Sequence, residues 1–169
     1  TDADLPAVGD WVALDRGAEG DEAIIRGRLP RSSRFSRKVP GKSAQEQVIA
    51  ANVDIVVGVT DPGPDYSPRR IERYLMLIER CGAKPVVLLN KADLFPGEHC
   101  AAAARELGDL SEMAEIHVTS ALESEGLEVL RSYLRPGVTI TLVGSSGVGK
   151  STLVNQLLGG EWQETSEVN

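Results

Sequence analysis

The 169 residues contain no apolar run of about eighteen, and no basic segment leads into an apolar one at the amino terminus, so neither a membrane span nor a secretory signal is visible. A cytoplasmic location without a membrane partner is the expectation. Metal-ligating side chains are scarce: Cys81, Cys100, His99 and His117 are the whole set of cysteines and histidines, and no CxxC occurs. That excludes the common zinc-ligand spacings and leaves the cysteines as small buried hydrophobes or idle thiols. Positive charge is also short, with 18 Lys and Arg against 25 Asp and Glu and a net charge of −7, which taken alone argues against a nucleic-acid partner. The deficit is not uniform. From Ala23 to Gln45 there is no acid, while Arg26, Arg28, Arg31, Arg34, Arg37, Lys38 and Lys42 supply seven positive charges, so the remainder carries 11 basic residues against 25 acids, near −14. An acidic body carries one basic arm.

What is present fits a soluble globular chain, 41% apolar and 25% charged, long enough for one domain or for one and a part. The runs Val8 to Leu14 and Glu22 to Leu29 predict two β-strands joined by a glycine-bearing hairpin loop. Pro30 to Ser43, with two prolines, four serines and Gly41 but no strand or helix period, reads as a linker or irregular binding loop. From there the pattern alternates. Strands are predicted at Val53 to Thr60, Lys84 to Asn90, Glu115 to Ser120 and Val138 to Gly144. Helices fall between and after them: one capped by Ser67 and Pro68 with Ile71, Tyr74, Leu75 and Ile78 inward and Gly82 as its stop, one over Glu98 to Leu107, one with Leu127, Leu130 and Leu134 inward, and one over Lys150 to Leu158. The fold class is α/β, a parallel doubly wound sheet that takes ligands at the carboxyl ends of its strands.

The segment Gly144-Ser145-Ser146-Gly147-Val148-Gly149-Lys150-Ser151 matches G-x-x-x-x-G-K-[ST] between a strand and a helix. Its glycines allow successive backbone N–H groups to turn toward phosphate oxygens, and the helix amino terminus adds partial positive charge. Lys150 would reach the β and γ phosphates, the Ser151 hydroxyl would ligate Mg²⁺, and Thr152 could touch the α phosphate. This loop indicates a nucleotide without choosing the base.

Asn90-Lys91-Ala92-Asp93 stands where another strand runs out. Guanine presents N1–H and its 2-amino group side by side, and one carboxylate, Asp93, accepts both. Adenine offers a lone pair at N1, and a carboxylate facing it in a partly desolvated pocket costs about 1–3 kcal/mol or more. Asn90 can tie the base loop to the phosphate loop, and the Lys91 stem can lie over the purine. The competing reading of Asp93 is a helix cap. Val118 to Leu122, V-T-S-A-L, closes the next strand, where the N–H groups of Ser120 and Ala121 could meet guanine O6; an ordinary strand-to-helix turn is the alternative.

The order N-K-A-D, T-S-A-L, G-S-S-G-V-G-K-S, together with "GDWV", "RLPRSSRFSRK", "QEQVIAANVD" and "SPRRIERYL", resembles the circularly permuted, small-ribosomal-subunit-dependent GTPases of the RsgA/YjeQ family over nearly the whole chain. The resemblance implies part of an OB-fold barrel at 1–44 and a permuted GTPase domain at 45–169, with the leading barrel strands, the switch segments and a zinc-binding domain lying outside these residues. It further implies a GTP hydrolase acting in late maturation of the small subunit, with GTP or GDP and Mg²⁺ as ligands and a monomeric state. Nucleotide contacts would come from Asn90, Lys91, Asp93, Ser120, Ala121 and Gly144 to Thr152, with Lys150 stabilising charge on the transferred phosphoryl group. Ribosomal RNA would meet Arg31, Arg34, Arg37, Lys38 and Lys42, with Phe35 stacking on a base. An ATP-dependent P-loop protein and a non-catalytic RNA-binding module holding structural GDP are the alternatives.

Overall fold

The six residues Ile55–Thr60 are all buried, as a strand covered on both faces must be, and they form the inner strand around which the larger sheet is built. A computed structural model of the chain describes residues 5–16, 23–38, 46–95 and 97–165. Their strands are β1 Val12–Arg16, β2 Ala23–Arg28, β3 Arg34–Lys38, β4 Glu46–Ala51, β5 Ile55–Thr60, β6 Lys84–Leu89, β7 Glu115–Val118 and β8 Ile140–Gly144. The helices are α1 Pro68–Cys81, α2 Glu98–Gly108, α3 Glu128–Tyr133 and α4 Lys150–Leu158. The last four strands make one parallel sheet in the order β7-β6-β5-β8. Successive strands step outward from β5 to β7, and the chain then returns to the other side of β5, so the crevice at a reversal of strand order lies between β5 and β8. The phosphate-loop segment follows β8 directly.

Period-two alternation along the central strands feeds two cores. Val56, Val87 and Leu89 join Ile71, Leu75, Ile78, Ala103 and Leu107 of α1 and α2 on one face. Val57, Val59, Val86 and Leu88 join Leu127 at the cap of α3, Leu130 of α3 and Leu153 of α4 on the other. Each such aliphatic side chain contributes about 1.5–3 kcal/mol when fully buried, so the strand ends are held on a rigid base.

Helix limits follow local chemistry. Pro68 opens α1 at a position that needs no N–H, and Gly82 closes it at φ 74°. Ser67 stands at the cap position with extended backbone but makes no side-chain cap bond. Leu134, expected inward, is instead 45% exposed: α3 stops at Tyr133, and the ψ of 87° at Leu134 turns the chain away from the core. Tyr133 packs against the core in its vicinity and donates its hydroxyl to Glu115 Oε2.

The amino-terminal region consists of two antiparallel hairpins, β1-β2 and β3-β4. The second corrects the expectation of an irregular linker over Pro30 to Ser43, because Arg34–Lys38 is a strand whose backbone pairs with β4. A bulge between Phe35 and Ser36 breaks the alternation, and only Phe35 is apolar, so the strand has no readable period. Phe35 is 2% exposed and inserts into the core beside Ala50 and Val53, so its ring is not offered to a base as the sequence suggested. The β3-β4 ladder joins residues on both sides of the 44/45 boundary.

Candidate nucleotide site

Three strand ends converge through one side chain. Asn90, at the end of β6 and 1% exposed, donates from Nδ2 to the Val148 carbonyl at 2.9 Å. Its Oδ1 accepts from the Ala121 N–H at 3.0 Å and from Thr119 Oγ1 at 3.2 Å. A single carboxamide thus uses both functional ends, binding the N-K-A-D turn to the phosphate loop and to the T-S-A-L turn. At this burial an unsatisfied amide would be costly, and the network leaves none.

Gly144 ends β8 so near β5 that a Cβ would sit 2.3 Å from the Val59 carbonyl oxygen. Gly149 has φ +94°, and a Cβ there would fall 2.4 Å from Asn90 Nδ2. The two glycines therefore serve backbone approach, one to the sheet and one to the base-side loop. Between them Val148 is buried in the core and Ser146 is exposed. Lys150 opens α4 and curls back, its Nζ donating to the carbonyls of Gly144 at 3.2 Å and Ser145 at 2.6 Å. Burial pushes the Lys150 ammonium below its ordinary pKa. Ser151 and Thr152, half-buried in the first turn, stand beside Leu153, which fixes the helix in the core.

On the base side, Asp93 accepts from Ser120 Oγ at 2.6 Å through Oδ1, and Ser120 Oγ itself accepts from the Glu123 N–H at 3.0 Å. The helix-cap reading of Asp93 fails, because α2 starts at Glu98 and its cap position is Gly97. Lys91 takes the left-handed backbone conformation, φ 64°, and its Nζ lies 3.1 Å from Asp61 Oδ2. The amides expected to meet guanine O6 have protein partners: Ser120 N–H donates to the Glu125 carbonyl at 3.0 Å, and Ala121 N–H to Asn90.

Two residues of this site were not anticipated. Asp61, 9% exposed at the end of β5, anchors Lys91. Arg70, in the first turn of α1, donates through Nη1 to Ser145 Oγ in the phosphate loop. Asp61 carries no local motif, and Arg70, although it lies within S-P-R-R-I-E-R-Y-L, makes a contact that spans 75 residues of sequence.

The expected RNA-binding residues separate. Arg31 forms a two-pronged ion pair with Asp10, at 2.7 and 2.6 Å, with its side chain 8% exposed. That fork holds the Asp10 carboxyl down to about 2 against an ordinary value of 3.8. Arg34 and Arg37 are exposed, Arg34 3.8 Å from Glu46 and Arg37 donating to Gln47 Oε1 at 3.3 and 3.4 Å. Lys38 closes β3, and Lys42 lies outside the described residues.

Among known proteins, the RsgA GTPase family model matches residues 28–169. A small ribosomal subunit biogenesis GTPase RsgA of Syntrophotalea carbinolica is 44% identical over 98% of this chain and 46% of its own length. One of Opitutus terrae is 43% identical over 100% of this chain and 48% of its own. The chain spans about half the length of these curated relatives. The crystal structure of YjeQ from Thermotoga maritima superposes with a TM-score of 0.68 at 32% identity, covering 90% of this chain and 51% of that one. That of YloQ, a circularly permuted GTPase, gives 0.61 at 20% identity over 90% of this chain and 50% of its own, a likeness of fold.

Proposed function

Because this chain belongs to the RsgA GTPase family, we propose that it binds guanine nucleotide at the convergence of the ends of β5, β6, β7 and β8 and, within the whole protein, hydrolyses GTP in the service of small-subunit maturation in the cytoplasm. Its fold is that of a circularly permuted P-loop GTPase preceded by part of an OB-fold barrel. The observation that carries the reading is the Asn90 carboxamide, bonded at once to the phosphate loop and to the T-S-A-L turn. That arrangement has a use when base and phosphates belong to one ligand.

In this reading the backbone amides of Gly147 to Thr152 and the amino end of α4 bind the phosphates. Lys150 exchanges its loop carbonyls for β- and γ-phosphate oxygens, and its ammonium stabilises charge as water attacks the γ phosphorus in line. The Asp93 oxygen left by Ser120 accepts from guanine, and Lys91, steadied by Asp61, covers the ring. The Ala121 N–H reaches O6 by sharing itself with Asn90. No group of three His, Cys, Asp or Glu side chains gathers among the described residues to form a protein cage for a cation. The donor set instead suits Mg²⁺, which is commonly held by one or two protein oxygens together with substrate phosphates and waters. Ser151 would hold it, and the bound cation would neutralise charge between the β and γ phosphates. The divisions 1–44 and 45–169 are kept as part of this proposal, with the β3-β4 ladder crossing between them.

Competition for the purified protein by GTP and ATP tests the base assignment, and GTP is expected to win by at least two orders of magnitude. Equal competition overturns it. Hydrolysis by the full-length protein is expected to rise when small ribosomal subunits are added, and an unchanged rate overturns the ribosomal role.

A further inference from the structure

Two cations meet at Ser145 of the phosphate loop. Its hydroxyl accepts from Arg70 Nη1, and its carbonyl accepts from Lys150 Nζ at 2.6 Å. Neither cation has a carboxylate partner among the described residues, whereas Lys91 on the base side is matched by Asp61 at 3.1 Å. The helix that delivers Arg70 does not favour a cation there. α1 opens with Pro68, Arg69 and Arg70 and has no acid in its first turn, so both arginines lie against the partial positive charge of the helix amino terminus, where acids are the stabilising choice. Arg69 is exposed to water. Arg70, the next residue, is half-buried with its guanidinium against the loop, where a single donor meets a neutral oxygen. A guanidinium so placed, with its remaining donors unmatched by protein, suits an anion.

The course of the loop indicates which anion. Asn90 ties the base side to Val148, and Gly149 passes close to the same side chain. Lys150 opens α4, whose amino end takes the inner phosphates. Ser145 lies at the other end of the loop, directly after β8 and against α1. A phosphate chain that leaves the base at Val148 and Gly149 therefore meets Ser145 last, with its terminal group. A diphosphate ends short of that point.

We propose that Arg70 is a specificity-determining residue for the triphosphate: without nucleotide it donates to Ser145 Oγ, and with GTP it exchanges that neutral oxygen for an oxygen of the γ phosphate, beside Lys150. The proposal rests on the guanine-nucleotide reading above and gives Arg70 a ligand to touch rather than only a loop to hold. With GDP, Lys150 engages the β phosphate and Arg70 stays on Ser145, so this residue separates the two nucleotide states. An arginine suits the task because its planar fork presents donors in pairs to phosphate oxygens. Burial already pushes the Lys150 ammonium below its ordinary pKa, and a γ phosphate set between the two cations relieves both.

The test compares equilibrium binding of fluorescently labelled GDP and of a labelled, non-hydrolysable GTP analogue to the full-length protein with Mg²⁺. Arg70→Ala is expected to weaken the triphosphate by roughly 3- to 10-fold, since a neutral acceptor is exchanged for a charged one rather than a bond made anew. Its affinity for GDP is expected to be unchanged. Arg70→Lys keeps the charge without the fork and should recover part of the triphosphate loss. Arg69→Ala removes the same charge from the exposed neighbouring position and should alter neither affinity. The Arg70→Ala loss should also persist in a Ser145→Ala background. If it vanishes there, Arg70 acts by holding Ser145, and contact with the γ phosphate is overturned. Equal weakening of GDP and triphosphate, or no change in either, overturns the proposal and leaves the nucleotide site standing. If the unaltered protein binds neither ligand, the guanine-nucleotide reading fails and this proposal with it. Melting temperatures without nucleotide check that the variants remain folded.

Discussion

Asn90 and Asp93 divide the labour of the base side between structure and recognition. Replacing Asn90 by Ala removes bonds to Val148, Ala121 and Thr119 from a buried position. With the Ala121 N–H and Val148 carbonyl left unmatched at about 1–3 kcal/mol each, stability is expected to fall by about 2–6 kcal/mol, read as a lower urea midpoint at unchanged slope, and guanine-nucleotide binding to be lost. Asp93→Asn should behave differently. The Asn oxygen can still accept from Ser120 Oγ, so the fold is retained, while the amide now presents a donor to the base. Affinity is expected to move from guanine toward xanthine nucleotides, and a variant that still prefers GDP over XDP would show that Asp93 does not read the base. Asp10 supplies a pH-dependent case. Its folded value of about 2 lies below the unfolded value near 3.8, so its contribution is complete above about pH 4 and is lost as pH falls toward 2. Glu115, held near 2 by Lys84 and Tyr133, acts in the same window, but its exposure to solvent screens the effect. Asp10→Asn should therefore flatten the loss of stability between pH 4 and 2, measured by denaturant titrations at stepped pH, and leave the pH 6 to 8 plateau flat though lower.

At the scale of elements, legibility in the sequence tracked how locally each feature is determined. β5 and β6 were readable because burial on both faces forces continuous apolar runs, and α1 because Pro68 and Gly82 bracket one apolar face. The phosphate loop and N-K-A-D were readable because their chemistry needs contiguous residues. β3 was not, since a bulged strand with one inward side chain has no period, and its partner β4 supplies the pairing from beyond residue 45. Arg70 and Asp61 were hidden because their contacts exist only once the strand ends are side by side. The loop's dependence on its neighbours can be measured. Gly149→Ala forces a Cβ against Asn90 Nδ2 at a backbone angle that side chains rarely adopt, and is expected to abolish nucleotide binding rather than weaken it. Arg70→Ala leaves every loop residue in place and removes only the contact to Ser145 Oγ, whose residue also supplies a carbonyl to Lys150. A modest, roughly 3- to 10-fold loss of GTP affinity is expected, in line with the ~0.5–1.5 kcal/mol net worth of a typical hydrogen bond, with partial recovery in Arg70→Lys. Full affinity in Arg70→Ala would mean that α1 does not position the loop.

For the whole molecule, circular permutation changes the order of the motifs and not the pocket, because the sheet brings the ends of β5, β6, β7 and β8 together wherever the chain begins. The consequence is that the site is made of segments distant in sequence, 60 to 61, 90 to 93, 119 to 121 and 144 to 152, which separate completely on unfolding. A ligand bound there stabilises only the folded chain. At a concentration one hundred times its dissociation constant it adds about 2.7 kcal/mol, and for a chain of this length each kcal/mol raises the melting temperature by about 2–4 °C. GDP with Mg²⁺ is accordingly expected to raise the melting temperature by about 5–11 °C. ADP under the same conditions is expected to leave it unchanged, because its base gives Asp93 no pair of donors. Equal shifts for the two nucleotides would locate all the binding free energy in the phosphate loop and remove the base side from the site. A GDP shift that disappears in Asn90→Ala, compared with that variant's own lower baseline, would show that the two halves act as one pocket.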